Sequence, residues 1–369
     1  MSRNELDVKY MRIALLLAEK GRGFTRTNPF VGAVIVKNNK IIAKGYHRKF
    51  GGAHAEINAI KNANTSLTGS TMYVTLEPCS TFGKTPPCTE AIKQSGIKRV
   101  VIAALDPNPL NARKATRILK RVGIEVKIGV LRKEAERLNE AFHCQIAKKR
   151  PFIILKMAQS LDGKSAAYTG HSKWITGQDA RKWVHTLRNE VDAVMVGTGT
   201  VQADNPQLTV REVKARKQPD RIAIDRTSKI PLNSLIYKKS VDENIYVGIG
   251  SNVSCQKKKS YEKAGISLID LKCRKRKVLL KPFFEELYKK NIGTVLVEGG
   301  ATLAASLFEE KLIDKIAFFC APIIVGGKNA STSVAGQGAA KIDDAVKINN
   351  LTCRQIGKDF LFEGYPVFI

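Results

Sequence analysis

The stretch that decides the fold begins at His54-Ala55-Glu56, passes through Thr71-Met72-Tyr73-Val74-Thr75-Leu76-Glu77-Pro78-Cys79, and ends at Cys88 after eight intervening residues. A histidine nitrogen and two thiolates suit zinc, and three protein ligands leave a fourth position for water. Hydrolytic removal of an amine from a ring carbon also needs a carboxylate that is not a ligand. A proton must leave the water and reach the departing nitrogen. Glu56, two residues beyond the histidine at the start of a predicted helix, is the candidate. Taken singly, His54 could cap a helix and each cysteine could fill a core. The joint spacing points to a metal site of His54, Cys79 and Cys88 with Glu56 as the catalytic acid–base.

Outward from this stretch, helix and strand patterns alternate. Leu6 to Lys20 has the period of an amphipathic helix ended by Gly21 and Gly23. Strands are predicted over Val31–Val36 and Lys40–Gly45 around the Asn38-Asn39 turn signal, and over Thr71–Leu76, Arg99–Ala104 and Glu125–Ile128. Helices are predicted near His54, from Cys88, up to Arg121, and over Leu131–Ala147. The composition shifts at Lys148-Lys149-Arg150-Pro151, where a proline follows a basic run. Beyond it the pattern restarts, with strands at Phe152–Ala158, Ala193–Val196, Arg221–Ile224, Asn244–Val247, Thr294–Val297 and Lys315–Cys320. The expected organisation is two α/β domains, residues 1–147 and 148–369, as the chain length also suggests.

Composition narrows the class. A hydrophobic content of 43% with 28 glycines describes a packed α/β protein rather than a disordered or fibrous one. No run of about 18 uncharged apolar residues suggests a membrane span, and no signal-peptide pattern is present, so a cytoplasmic location is expected. Seven cysteines spread over the chain read as free thiols plus a metal site rather than a disulfide framework. The net charge of +29 invites a phosphate or nucleic-acid partner, but +17 of it falls in residues 1–150 and the rest beyond. Clusters such as Lys257-Lys258-Lys259 and Arg274-Lys275-Arg276-Lys277 are expected in linkers or loops. None carries interleaved aromatics. A lysine-rich solvated surface is the favoured reading over a nucleic-acid groove.

Two sets of motifs then carry a family resemblance. Asn28-Pro29-Phe30-Val31-Gly32-Ala33-Val34, His54-Ala55-Glu56 and Glu77-Pro78-Cys79 resemble the cytidine-deaminase-like superfamily over residues 1–147. The long loop with Gly83-Lys84-Thr85-Pro86-Pro87 before Cys88, and Leu105-Asp106-Pro107-Asn108-Pro109 downstream, resemble the deaminase half of the bifunctional riboflavin-biosynthesis deaminase–reductases. The resemblance implies a diaminopyrimidinone ribosylamino 5′-phosphate as substrate, with Asn28, His47 and Lys84 as contacts. Read alone, Lys84 is equally a solvated loop lysine, His47 a satisfied core residue and Asn28 a turn former. The chain departs from that family at Thr81, where histidine is frequent, and at Ala112-Arg113-Lys114-Ala115, where two glycines are usual. Their loss is expected to remove easy positive φ angles there.

In the second half, Thr294-Val295-Leu296-Val297-Glu298 runs into Gly299-Gly300-Ala301-Thr302-Leu303, a strand-to-helix turn at which a phosphate could meet free N–H groups. Together with Lys156-Met157-Ala158-Gln159-Ser160-Leu161-Asp162-Gly163-Lys164, Ser172-Lys173-Trp174-Ile175-Thr176, Val196-Gly197-Thr198-Gly199-Thr200 and the run from Asp204 to Arg211, it resembles the reductase half of the same family. That implies a dihydrofolate-reductase-like fold using NADPH. By the resemblance, Ala158, Trp174, Thr200, Asp204, Gly300, Ala301, Thr302, Leu303, Ala304, Ala305 and Ser306 would bind the cofactor. Lys156, Ser172, Leu208, Arg211 and Glu298 would meet the substrate. Read alone, Trp174 is equally a core aromatic, Arg211 part of an exposed charge run and Asp204 a turn residue.

The expectation is therefore an N-terminal cytidine-deaminase-like α/β/α domain and a C-terminal dihydrofolate-reductase-like α/β domain. They would hold one zinc ion and NADPH and act in sequence on a small pyrimidine ribosyl phosphate, without membrane or nucleic-acid partners; a homo-oligomer is compatible with this. The alternative is a tRNA base deaminase whose C-terminal domain only binds.

Overall fold

A computed structural model describes residues 1–82, 86–109, 111–239, 243–274 and 277–368. The chain divides into two compact units, Met1–Lys149 and Arg150–Ile369. Among the described residues, no helix is long and apolar enough to cross a membrane.

The first unit consists of α1 (Arg3–Ala18), β1 (Gly32–Lys37), β2 (Lys40–Tyr46), α2 (Ala55–Lys61), β3 (Thr71–Leu76), α3 (Cys88–Gln94), β4 (Arg99–Ala104), α4 (Lys114–Arg121), β5 (Glu125–Ile128), α5 (Arg132–Leu138) and α6 (Glu140–Lys148). Its sheet has the order β2-β1-β3-β4-β5. β1 is antiparallel to both neighbours, whereas β3, β4 and β5 run parallel. The β1–β2 hairpin closes through Asn38 (φ 50°) and Asn39 (φ 57°), a left-handed pair that asparagine tolerates and that matches the strand twist. A Cβ at Gly45 of β2 would lie 2.3 Å from Ala59 N and 2.4 Å from Ala55 O. Glycine there lets α2, the helix that follows His54, lie directly on the sheet.

Charge ties α1 to the other face. Asp7 is fully buried and accepts from both terminal nitrogens of Arg99 (2.7 and 2.8 Å), from Lys127 Nζ (2.8 Å) and from Tyr73 Oη (3.0 Å). Burial alone would raise its pKa, but Arg99, Lys127 and Tyr73 outweigh that and hold the carboxyl at about 2.

Two helix expectations change in this unit. Residues 105–121 are helical only from Lys114. The single helix expected over Leu131–Ala147 is two, because Asn139 leaves helical geometry (φ −104°, ψ 22°). Its amide instead accepts from Phe30 N (2.7 Å) and donates to Phe30 O (2.9 Å), pinning the Asn28-Pro29-Phe30 loop.

The second unit comprises β6 (Phe152–Ser160), α7 (Gln178–Glu190), β7 (Ala193–Gly197), α8 (Thr198–Asp204), β8 (Asp220–Asp225), β9 (Ile245–Gly250), α9 (Cys255–Lys263), β10 (Ser267–Leu271), β11 (Cys273–Arg274), β12 (Lys277–Val278), α10 (Leu280–Lys289), β13 (Thr294–Glu298), α11 (Ala301–Glu309), β14 (Lys315–Ala321), β15 (Lys347–Ile356) and β16 (Asp359–Val367). Nine strands form one sheet, in the order β10-β9-β8-β7-β13-β6-β14-β16-β15. Pairing is parallel from β10 to β14, and β16 and β15 close that edge antiparallel. β10, β11, β12, β15 and β16 are additional to the strands expected, β11 and β12 forming a separate two-stranded sheet. β15 is exposed along most of its length, so it lacks the apolar run that marks a buried strand.

The basic clusters are also redistributed. Lys257, Lys258 and Lys259 lie in α9 rather than a loop. Arg150 is buried, its guanidinium donating to both carboxylate oxygens of Asp314 at 2.6 and 3.0 Å, so this cation is a structural anchor at the start of the unit.

Candidate active sites

In the first unit, His54 is the residue that precedes α2. Its backbone is extended (φ −68°, ψ 163°) and its side chain makes no capping bond. The imidazole is therefore free to face Cys79 and Cys88. Cys79 follows β3, and Cys88 opens α3, donating its N–H to Cys79 Sγ at 3.2 Å. His54 Nδ1 lies 3.2 Å from Cys88 Sγ and 3.5 Å from Cys79 Sγ, and the three donor atoms fall within 4.8 Å of one another. A mixed nitrogen–sulfur set this tight fits a tetrahedral zinc ion with one position left open. Ser80 and Thr89, the residues that follow Cys79 and Cys88, each bury a hydroxyl oxygen that has no hydrogen-bond partner among the described residues. Sharing a proton with Cys88 holds Cys79 down to about 4, with His54 adding to the effect.

Glu56, in the first turn of α2, is 3% exposed and its carboxyl lies beside the Cys88 thiol. Burial pushes its pKa up, which suits a group that must both take and return a proton near neutrality. His47 is buried as well. Its Nδ1 lies 3.0 Å from Ala53 O and its Nε2 3.1 Å from Asn28 Nδ2, so the proton sits on Nδ1 and Asn28 donates to Nε2. The His47 and His54 rings meet edge to face at 5.7 Å. The structure thus brings Asn28 and His47 to the metal site. Lys84 lies outside the described residues.

The two departures from the family pattern have physical accounts. Thr81 Oγ1 donates to Asn111 Oδ1 (3.0 Å), and Asn111 donates on to Asp106 (3.0 Å), so this loop is tied down without a histidine. Arg113 keeps a left-handed backbone (φ 59°, ψ 1°) although it is not glycine, and its N–H donates to Glu77 Oε2 at 2.8 Å. The left-handed conformation is therefore kept without glycine, though no longer at glycine's low cost. Ala115 is buried inside α4, where no positive φ is required. An L-residue in the left-handed region costs about 1–2 kcal/mol. Glycine relieves this strain but loses part of the gain to the greater entropy of the unfolded chain, so Arg113→Gly is expected to stabilise the unit by about 0.5–1 kcal/mol, read as a higher urea midpoint. A lower midpoint would mean that the arginine side chain contributes more than its backbone loses.

In the second unit a cavity of about 1160 Å³ opens where β6, β7 and β13 end. That exceeds the ~300–1,000 Å³ of a site for one drug-sized ligand and leaves room for a cofactor and a substrate together. Lys156, Ala158, Ser172, Trp174, Thr200, Asp204, Leu208, Arg211 and Glu298 all line it, as do Gly300, Ala301, Thr302, Leu303 and Ser306. Ala304 and Ala305 are not among the lining residues, and both are buried on the inner side of α11. Trp174 is 65% exposed with the Arg181 guanidinium 4.5 Å from its ring centre, so it is not a core aromatic. Gly300 (φ 86°) starts α11, and a Cβ there would lie 3.2 Å from Thr200 Oγ1. This narrow turn and the N–H groups of the first helical turn, which have no acceptor within the helix, fit the phosphates of a dinucleotide.

The floor of the cavity is charged. Glu298 and Lys156 are register partners on β13 and β6. Glu298 accepts two bonds from Arg188 of α7, at 2.6 and 2.8 Å. Burial acts to raise the Glu298 carboxyl, yet Arg188 and Lys156 hold it below the ordinary range. Burial lowers the Lys156 ammonium, with Glu298 opposing the shift. Arg188 and its neighbour His185 were not anticipated from sequence. The signal available was a polar pair inside an amphipathic helix, and that pattern does not reveal which helix face borders a cavity.

Comparison with known proteins follows the same division. Residues 4–104 match the family model of the cytidine and deoxycytidylate deaminase zinc-binding region, and residues 151–362 match that of the RibD C-terminal domain. The riboflavin biosynthesis protein RibD of Aquifex aeolicus is 43% identical over 97% of this chain and 98% of its own length. That of Escherichia coli is 35% identical over 96% and 97%. The solved structure of Acinetobacter baumannii RibD superposes with a TM-score of 0.88 at 35% identity, covering 99% of this chain and all of that one. The Thermotoga maritima diaminohydroxyphosphoribosylaminopyrimidine deaminase/5-amino-6-(5-phosphoribosylamino)uracil reductase gives 0.86 at 36%, with the same coverage.

Proposed function

This chain belongs to the family of bifunctional riboflavin-biosynthesis deaminase–reductases, and from that premise we propose which of its residues carry each reaction. It is a zinc-dependent deaminase and an NADPH-dependent reductase. In the proposed division, residues 1–147 release ammonia from a diaminopyrimidinone ribosylamino 5′-phosphate and residues 148–369 reduce the ribosyl group of the product to ribityl. The observation that carries the first half is the convergence of His54, Cys79 and Cys88 around the buried Glu56. Zinc held there supplies the Lewis acidity that brings the pKa of water toward neutrality. Glu56 takes the proton from the attacking water and returns it to the departing amine. Asn28 and the Nδ1-protonated His47 orient the pyrimidine, and Lys84 meets its phosphate.

In the second half, NADPH supplies a hydride when bound. The turn from Gly300 to Ser306, with Thr200 and Asp204, would hold the cofactor. Trp174 would cover it, and Arg211 and Ser172 would meet the substrate. Lys156, made more acidic by burial, holds a proton at Nζ that it can give up as the sugar ring opens, while Glu298 keeps that ammonium in place. Two cysteines at the metal site and five further thiols, none in a disulfide among the described residues, fit a reducing compartment, and a cytoplasmic site of action belongs to the same proposal. The tRNA-deaminase alternative is set aside, because RibD relatives span nearly the whole chain.

The test is to supply the diaminopyrimidinone phosphate with and without NADPH and to follow ammonia and NADPH separately. Removing the metal with a chelator is expected to stop ammonia release and to leave NADPH oxidation on pre-deaminated substrate intact. Loss of both activities without unfolding would show that the division of labour is wrong.

A further inference from the structure

Residues 205–219, between α8 and β8, contain no helix or strand, yet they carry Leu208 and Arg211 into the cavity. Backbone polar groups in such a segment need partners from elsewhere. Side chains of α7 provide them. Arg188 Nη1 donates to Thr209 O at 2.8 Å, and Asn189 donates to Lys214 O (2.9 Å) while accepting from Arg216 N (3.0 Å). Between these contacts, His185 Nδ1 accepts the N–H of Arg211 itself at 3.2 Å. His185 is 3% exposed, one helical turn before Arg188.

Charge makes this contact specific. Arg188 is committed to Glu298, and Lys156 faces the same carboxylate. Arg211 is exposed and, among the described residues, has no ion-pair partner, so it is the cation of this cavity left free for an anion. The groups around the His185 ring are Arg188, Arg211, Glu212 and Glu298. Because Nδ1 accepts the Arg211 N–H, the proton of the neutral imidazole sits on Nε2, which lies 3.8 Å from Glu212 Oε1. Burial, with help from the two arginines, holds its pKa down to about 4, so the acceptor persists at neutral pH.

We propose that His185 is a positioning residue for the reductase: by holding the Arg211 main chain it sets the Arg211 guanidinium where the phosphate of the ribosyl substrate arrives. This rests on the reading of Arg211 as a substrate contact given above. A guanidinium meets phosphate best in a fixed two-pronged geometry, so a loose backbone at Arg211 weakens binding without touching the hydride step.

The experiment compares His185→Ala, His185→Asn, His185→Gln, Arg211→Ala and the His185→Ala/Arg211→Ala pair, using pre-deaminated substrate and NADPH. His185→Ala is expected to raise KM for substrate about tenfold with kcat changed less than about threefold, the signature of lost substrate binding. The NADPH dissociation constant stays as in the parent. His185→Asn places an oxygen near the Nδ1 position and restores KM, whereas His185→Gln places it further out and does not. The double variant is expected to be no worse than Arg211→Ala, because the two residues act as one unit. If Arg211→Ala raises KM and His185→Ala does not, the positioning role fails while the reading of Arg211 stands. Equal KM values for the Asn and Gln variants also overturn it, and they do so even where His185→Ala does not fold. If Arg211→Ala leaves KM unchanged, the reading of Arg211 falls and takes the proposal with it.

Discussion

Glu56→Gln is expected to lower the rate of ammonia release by about 10³-fold, within the range of lost general acid–base catalysis. The side chain keeps its shape, and the amide can neither accept the water's proton nor return it. Glu56 is not one of the three grouped donors, so zinc content measured by elemental analysis is expected to remain at one per chain. Because burial raises the Glu56 pKa, the carboxyl is held nearer to neutrality than a solvated glutamate. The neutral amide also avoids burying a charge, so the fold is expected to tolerate it. NADPH oxidation on pre-deaminated substrate serves as the internal control and is expected to persist. Parent-level ammonia release from a zinc-loaded Glu56→Gln protein would remove Glu56 from the mechanism.

Glu298→Ala is expected to abolish NADPH oxidation and to destabilise the second unit by about 3–5 kcal/mol, the effect of removing one partner from a buried ion pair. Glu298 is the carboxylate between two cations, accepting two bonds from Arg188 and facing Lys156 across the strand pair. Without it both positive charges lie in a poorly solvated site, with only Glu212 still acting on Arg188. The urea midpoint reports the stability change, and ammonia release reports on the first unit. Replacing all three charges together, as Lys156→Met and Arg188→Met with Glu298→Leu, is expected to recover much of the stability and none of the reduction. An alanine variant with the parent's midpoint and NADPH turnover would show that this carboxylate neither anchors the cavity floor nor serves the reaction.

Local chemistry made much of this legible in advance. Thr71–Leu76, Arg99–Ala104 and Glu125–Ile128 were readable as strands because each is a short β-rich run bounded by breakers, and the structure has the same limits. The asparagine pair of the first hairpin was readable because its backbone demand is local. Asn139 was not, since the partner that takes it out of helical geometry, Phe30, lies 109 residues away in the chain. Arg113 shows a second long-range effect. The missing glycine was readable as the loss of an easy positive φ, but not that the Glu77 carboxylate, accepting from the Arg113 N–H, holds the left-handed backbone in place.

The metal chemistry was written in the sequence itself. Ligand identity is covalent information, and His54, Cys79 and Cys88 are the residue types zinc takes, in whatever fold brings them together. The motif series in the second half likewise carries the resemblance to a reductase in the sequence alone. What only the tertiary structure decided is which charges neutralise one another. Lys156, Arg188, Arg211 and Glu298 are all simply charged residues along the chain. Packing α7 beside β6 and β13 pairs Arg188 with Glu298, sets Lys156 beside them and leaves Arg211 without an ion pair among the described residues. Coulomb energies depend on distance and burial, and both are set by contacts between segments remote in sequence.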